Sequence, residues 1–322
     1  MTDPLHAPVM LREVLADLDA QPDGIYADAT YGRGGYTRAL LDAVKCTVYA
    51  IDRDQEAVDS AKALLAAYRG RLTVLHGRFG DMLTLLRDCG IQHVNGIMLD
   101  LGVSSPQLDQ ADRGFSFRSD GPLDMRMGLS GVTAADVVNT ADEADLIDII
   151  RNLGEERYAR RIAKAIVAAR SDAPITRTGT LAEIVRAAVP RAKDGLDPAT
   201  RTFMALRLHV NDELGELDRA LEAAEQLLTT GGRLVVVSFH SLEDRRVKRF
   251  LQQRSDDSAG TSRHVPLPET RPAPSFRLLR RRSLTPTAEE TDRNPRARSA
   301  RLRAAERTGN PAWPPKTERI AA

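Results

Sequence analysis

Five short apolar runs, each bounded by turn-forming residues, alternate with amphipathic segments and leave this 322-residue chain few ways to fold. The runs are "GIYADAT" (24–30), "CTVYAID" (46–52), "RLTVLHG" (71–77), "GIMLDLG" (96–102) and "GRLVVVSF" (232–239). They read as strands buried on both faces, as in a parallel sheet. "GYTRALLDAV", "DQEAVDSAKALLAAY" and "FGDMLTLLRDCG" separate the first four and repeat apolar residues at three- and four-residue spacings. That alternation specifies a doubly wound α/β sheet. Right-handed crossovers then bring the loops of interest to one edge, beyond the strand carboxyl ends. "SFRLLRRRSLTPT" and "ARSARLRAAER" supply two last strands.

The alternation stops after Gly102. A loop rich in Gly, Ser, Pro and Asp follows, then the helical patterns "TAADVVNT", "EADLIDIIRNL", "EERYARRIAKAIVAAR" and "TLAEIVRAAV". The expected organisation is a discontinuous core, 1–102 and 203–308, with an all-helical insert at 103–202 and a tail at 309–322. The core is expected to resume as one helix over 202–228, stopped by Gly231 and Gly232.

Nothing approaches the ~18 consecutive apolar residues of a membrane span, and the N-terminus does not read as a secretion signal. Cys46 and Cys89 form no CxxC pair and no metal spacing, as expected of reduced thiols in a cytoplasmic protein. The net charge of +1 hides two basic runs. Residues 271–308 carry eleven arginines against four carboxylates, and 151–170 carry six basic side chains against Glu155 and Glu156. Solvated faces and an anionic partner both account for such runs, and charge alone leaves the choice open.

The first strand leads into "DATYGRGGYTRAL" (28–40). A dinucleotide fingerprint needs G-x-G-x-x-G. Gly32 and Gly34 fill its first two places, but Thr37 stands at the third. Asp28, at the end of the strand, would oppose a pyrophosphate and suits a cationic ligand. S-adenosylmethionine (SAM) carries a sulfonium and an ammonium and no phosphate, and D-x-x-x-G-x-G is its pattern. Asp52 ends the second strand, where a carboxylate accepts ribose hydroxyls; helix capping is its other role, one that Asp54 fills as well. Phe79, just past the third strand, suits adenine stacking or the core. Asp100 ends the fourth strand, beside the reactive end of such a cofactor. His6 and His240 are isolated and read as structural, although His240 lies past the fifth strand on the active edge. Arg201 and Arg207 suit RNA phosphate or an ion pair equally. An NAD-linked dehydrogenase shares the sheet and Asp52, but Thr37 and Asp28 oppose it. A non-catalytic RNA-binding module accounts for the arginines and leaves the glycine loop and Asp100 idle.

Together with "HAPVMLREV", "LDLGVSSPQLDQADRGFSFRSDGPLDMRM", "GEERYARRIAKAI", "ATRTFMALRLHVN" and "GGRLVVVSFHSLEDRRVKRF", these stretches make the chain resemble the RsmH (MraW) family from about residue 6 to 307. Members are SAM-dependent methyltransferases that modify the N4 of a cytidine in the decoding region of 16S ribosomal RNA. The resemblance implies SAM contacts at Gly34, Gly35, Tyr36, Asp52, Phe79, Asp100 and Gln107, with Asp100 also the candidate catalytic residue. It implies a cytoplasmic enzyme without metal whose partner is 16S rRNA or the small ribosomal subunit; a homodimer is compatible with it. Tyr36 stands where the family usually has His, and Met204 where it usually has Gln.

Overall fold

Alternate residues of the central strands feed two apolar cores, one on each face of a single sheet. Ile97, Leu99, Leu234 and Val236 enter one cluster, whereas Met98, Val235 and Val237 enter the other. This two-residue period with both faces buried is why the strands read as unbroken apolar runs. Each such Val or Leu contributes about 1.5–3 kcal/mol by leaving water.

The computed structural model describes residues 8–128, 130–190, 195, 197–255 and 272–314. His6 and tail residues 315–322 lie outside the described residues. The chain divides into two units, one of residues 1–102 with 215–322 and the other of residues 103–214.

The first unit begins with α1 (Leu11–Leu18), β1 (Ile25–Asp28), α2 (Gly35–Ala43), β2 (Thr47–Asp52), α3 (Gln55–Ser60), α4 (Lys62–Ala67), β3 (Leu72–His76), α5 (Met82–Asp88) and β4 (Val94–Asp100). The second unit holds α6 (Ser105–Asp109), α7 (Ala134–Thr140), α8 (Glu143–Asp148), α9 (Ala159–Asp172), α10 (Thr178–Ala188) and α11 (Ala199–Asn211). The chain returns through α12 (Glu213–Leu227) to β5 (Leu228–Ser238), α13 (Ser241–Gln253), β6 (Phe276–Leu278), α14 (Ala288–Arg293) and β7 (Arg301–Arg307). The sheet order is β3-β2-β1-β4-β5-β7-β6. Its first five strands are parallel, and β7 runs antiparallel to both β5 and β6. The expected doubly wound methyltransferase-like sheet is therefore present, including its two C-terminal strands.

In the second unit Leu123, Val138, Ile150, Ile162, Leu181 and Phe203 belong to one apolar cluster. The polar loop after α6 is tied down there: Leu123 N–H donates to the Thr176 carbonyl at 2.9 Å, and Thr178 N–H to that of Gly121 at 2.9 Å.

Two local expectations are corrected. The helix expected over 202–228 is two helices, broken at Asp212, whose φ of 49° is left-handed. They serve different cores: Phe203 and Leu206 of α11 join the helical cluster, and Leu217 and Leu221 of α12 join the sheet. Gly231 and Gly232 do not stop the helix, which ends at Leu227. They lie inside β5, where the register against β4 shifts between Val94 and Gly96.

Candidate active site

The carboxyl ends of β1, β2 and β4 bring three carboxyl groups into one electrostatic neighbourhood. Asp28, Asp52 and Asp100 each end a strand. In a parallel sheet those ends share an edge, where backbone groups run out of ladder partners and loops take over.

Asp28 is buried and hydrogen-bonded by its own loop. The Thr37 hydroxyl donates to its Oδ2 at 2.6 Å, and Thr30 N–H reaches its Oδ1 at 3.3 Å. Thr37, which breaks the dinucleotide fingerprint, is thus the partner of Asp28. Burial pushes the Asp28 carboxyl up to about 6, with Asp52 adding to the rise.

Between them lies the glycine turn. Gly34 precedes α2 with φ 71°, and a Cβ there would meet the Tyr31 ring at 2.6 Å. A Cβ on Gly35 would meet Pro8 at 2.3 Å. Any side chain at either position would displace its neighbour, so the backbone stays bare where α2 begins. The Gly35 and Tyr36 N–H groups are among the first donors of that helix, which have no intrahelical acceptor. The Tyr36 ring is itself buried, with its hydroxyl donating to the Val9 carbonyl. The Tyr36 side chain is thus taken up in packing.

Asp52 closes the turn from the other side. Its Oδ2 accepts Gly32 N–H at 2.7 Å and its Oδ1 accepts Asp54 N–H at 2.8 Å. The capping of α3 falls to Asp54, which accepts Glu56 N–H at 3.1 Å. Burial raises the Asp52 carboxyl from its ordinary value, against the two backbone hydrogen bonds that lower it. Phe79 follows β3 in a short turn, half-buried against the core cluster beneath. Gly77 N–H of the same turn donates to the Asp52 carbonyl at 2.9 Å.

Asp100 is placed by its backbone, since its N–H donates to Thr30 Oγ1 at 2.6 Å. Its carboxyl oxygen Oδ1 is buried without a hydrogen-bond partner among the described residues. Burial, then the charges of Asp28 and Glu243, push this carboxyl well above the usual carboxylate range. Clustered buried carboxyls with an orphaned oxygen are costly unless a cation or donor completes them. A methyl donor bearing sulfonium and ammonium charges fits that deficit, and a pyrophosphate would deepen it. No group of described residues could hold a metal ion.

Gln107 belongs to the second unit, where its Oε1 accepts Ser104 N–H at 3.0 Å in a capping box at the start of α6. Sequence patterns also missed Thr30, Thr37 and Glu243; for Thr37 the signal was its place nine residues after Asp28.

Both basic runs mix paired and exposed cations: Arg282 and Arg298 are exposed, and Arg170 donates to the Val138 and Ala141 carbonyls at 2.8 and 2.7 Å. Arg277 and Arg303 pair with Glu306 and Asp244 at 2.6 and 2.7 Å, Arg280 pairs with Asp17, and Arg307 is buried. Arg207 forks onto Glu213 at 2.7 and 3.0 Å, and Arg201 lies 3.6 Å from Glu156. By contrast Arg157, Arg160, Arg161 and Lys164 are exposed around the start of α9. The Arg157 and Arg161 guanidiniums stand 4.6 and 5.8 Å from the centroid of the Tyr158 ring.

Residues 3–308 match the family described as the MraW methylase family. The chain is 58% identical to the ribosomal RNA small subunit methyltransferase H of Paramagnetospirillum magneticum, over 96% of this chain and 97% of that one. It is 57% identical to the protein of the same name from Rhodospirillum rubrum, over 96% of each chain. Against that of Rhodospirillum centenum the identity is 61%, over 96% of this chain and 94% of the other.

Proposed function

We propose, from the premise that this chain belongs to the MraW methylase family of SAM-dependent methyltransferases, that it methylates the exocyclic N4 of a cytidine in the decoding region of 16S rRNA. The orphaned Asp100 oxygen at the carboxyl edge carries this reading: it is a hydrogen-bond acceptor without a donor, and an exocyclic amine is the donor it lacks. Relatives at 57–61% identity whose names specify small-subunit ribosomal RNA support the substrate.

In this reading the N–H groups of Gly35 and Tyr36 and the bare backbone of Gly34 hold the methionine end of SAM. Asp52 accepts the ribose hydroxyls and Phe79 stacks on adenine. SAM supplies an electrophilic methyl group. The N4 lone pair is delocalised into the cytosine ring, so the amine is a poor nucleophile and gains most from being held about 3–3.5 Å from that methyl and in line with it. Asp100, accepting one N4–H, favours the pyramidal nitrogen that forms as the bond is made.

The helical unit takes the RNA, through Arg157, Arg160, Arg161 and Lys164. Arginine suits phosphate by its planar fork, and Tyr158, close to the Arg157 and Arg161 guanidiniums, is an aromatic side chain of the kind on which unstacked bases stack. Such an enzyme works where ribosomes are assembled, in the cytoplasm; among the described residues no helix is long and apolar enough to cross a membrane. Incubating the protein with SAM and unmodified small ribosomal subunits, then mapping modified nucleosides by mass spectrometry, tests the reading. N4-methylation of one cytidine is expected, and methyl transfer to another atom or to no RNA refutes it.

A further inference from the structure

The fifth strand ends at the same edge as the first four and delivers two buried ionisable groups that the mechanism above leaves unused. In the β4–β5 register Asp100 stands opposite Val237. Three residues past Val237, His240 lies in extended backbone at the start of α13. Its side chain is 11% exposed, and Nε2 lies 3.0 Å from Oε1 of Glu243, whose side chain is 3% exposed. Glu243 Oε2 accepts Phe239 N–H at 2.8 Å and His240 N–H at 3.3 Å. The carboxylate is thereby fixed, and it fixes the ring beside it. Both His240 ring nitrogens are buried without completing a hydrogen bond among the described residues. The charge of Glu243 is felt at Asp100, which places the pair and Asp100 in one electrostatic cluster.

His240 and Glu243 form a capping box at the start of α13, but capping alone does not select a histidine. Ser, Thr, Asp and Asn are the efficient caps, and a short hydroxyl or amide would serve α13 without burying an imidazole. An unfilled buried imidazole held by a carboxylate is instead the arrangement that orients a histidine for proton transfer.

The amine chemistry leaves a vacancy of the same kind. N4 carries two hydrogens and Asp100 accepts one. As the new N–C bond forms, the C–S bond breaks with its electron pair passing to sulfur, so the positive charge moves from sulfur to N4. One proton must then leave N4 to give the neutral methylated amine. We propose that His240, positioned by Glu243, accepts that proton and is the catalytic base of the reaction. The imidazolium formed is paired with the Glu243 carboxylate, and its proton passes to water when the product leaves. Of the other charges near the pair, Asp28 is held by Thr37, and Asp244 on the same helix is neutralised by Arg303 at 2.7 Å. This inference rests on the amine reading above.

Single-turnover methyl transfer to unmodified small ribosomal subunits, at saturating SAM and across pH, tests it with the full-length protein. His240→Gln should lower the rate by about 100-fold, the order expected for loss of a general base, while the dissociation constant for SAM stays within about twofold. The rate of the wild-type protein should fall on the acid side as the base protonates, and His240→Gln should abolish that limb. Glu243→Gln should lower the rate less than His240→Gln, because the ring loses the carboxylate that holds it. His240→Gln protein that is folded, binds SAM and either transfers at near the wild-type rate or retains the acid limb overturns the proposal. If His240→Gln does not fold, Glu243→Gln decides: a lower transfer rate at unchanged affinity for SAM supports the proposal, and the wild-type rate overturns it. Wild-type protein that puts no methyl on N4 would instead refute the parent reading.

Discussion

Glu216, fully buried near the start of α12, holds Arg53 at 2.9 Å. The same oxygen receives Arg78 at 3.2 Å. Arg53 directly follows Asp52, and Arg78 directly precedes Phe79. One buried carboxylate therefore ties together the two loops proposed to grip adenosine.

Glu216→Gln should loosen both loops. Removing one partner of a buried pair costs about 3–5 kcal/mol where no water reaches it; Arg53 and Arg78 are partly exposed, so a smaller loss of roughly 1–3 kcal/mol is expected. The melting temperature should fall by several degrees and KM for SAM should rise about tenfold, with a smaller change in kcat. A lower melting temperature with unchanged affinity for SAM would make the ion pairs purely structural.

Asp28 makes cofactor binding depend on pH. Its folded value of about 6 lies above its ordinary value of 3.8. The folded protein thus binds more protons between those values, and its ligand-free stability falls as pH rises from about 4 to about 6. The shift of roughly two units corresponds to about 3 kcal/mol, fully felt above pH 6. Asp28→Asn should therefore raise the melting temperature of the ligand-free protein at pH 8 while weakening SAM. A cation favours the ionised carboxylate, so wild-type affinity for SAM should drop below pH 6, by up to about tenfold per pH unit for each proton displaced. S-adenosylhomocysteine lacks the sulfonium charge and should show a shallower profile. Calorimetric titrations at pH 5 and pH 8 that give equal affinities for SAM would disprove the coupling.

The strands of the sheet and their carboxyl edge were legible because burial on both faces writes itself into consecutive residues, as in "LVVV" of β5. Asp52 and Asp100 were legible for a related reason, since each is the first carboxylate after such a run. What escaped was what joins residues distant in sequence. Thr37 reads as a missing glycine until its hydroxyl is seen on Asp28. Glu216 is 163 residues from Arg53 and looks like any helix-surface carboxylate. Paired and exposed arginines look alike in the sequence, and only partners such as Asp17, 263 residues from Arg280, separate them. The helix over 202–228 was misjudged because one apolar period continues across Asp212 while the two halves serve different cores.

Asp52→Ala should weaken SAM by about 10- to 100-fold, the value of one or two hydrogen bonds to a charged acceptor. It should also lower the melting temperature, because the Gly32 and Asp54 N–H groups lose their acceptor. Asp52→Asn keeps one carbonyl acceptor and should fall between wild type and alanine in both measurements. Wild-type affinity for SAM in the alanine variant would exclude the ribose contact.

The exposed face of α9 should matter for RNA and not for SAM. Replacing Arg160 and Arg161 by Gln removes two charges from a solvent-facing surface. Binding of small-subunit RNA should weaken, and the slope of log K against log salt should flatten by about 2. Calorimetry with SAM should be unchanged. Equal losses for RNA and SAM would mean that the arginines support the fold.

The atom that receives the methyl can be decided by the thiols. Methylation at cytosine C5 requires a thiolate to add to C6 first, since C5 is not nucleophilic otherwise. Cys46 is buried just before β2, and six residue steps along the six-residue strand, about 20 Å, separate it from Asp52. Burial also pushes its thiol up, further from the reactive thiolate. Cys89 is exposed at the end of α5, before β4 begins. Neither stands at the edge where Asp100 presents its free oxygen. A Cys46→Ala, Cys89→Ser double variant should therefore keep methyl transfer, apart from a modest loss of stability at Cys46. Asp100→Ala should reduce transfer by at least about 100-fold, with SAM affinity measured alongside to separate binding from chemistry. If the thiol-free protein folds and binds SAM yet transfers nothing, or if mass spectrometry of the digested RNA shows 5-methylcytidine, the amine is not the acceptor.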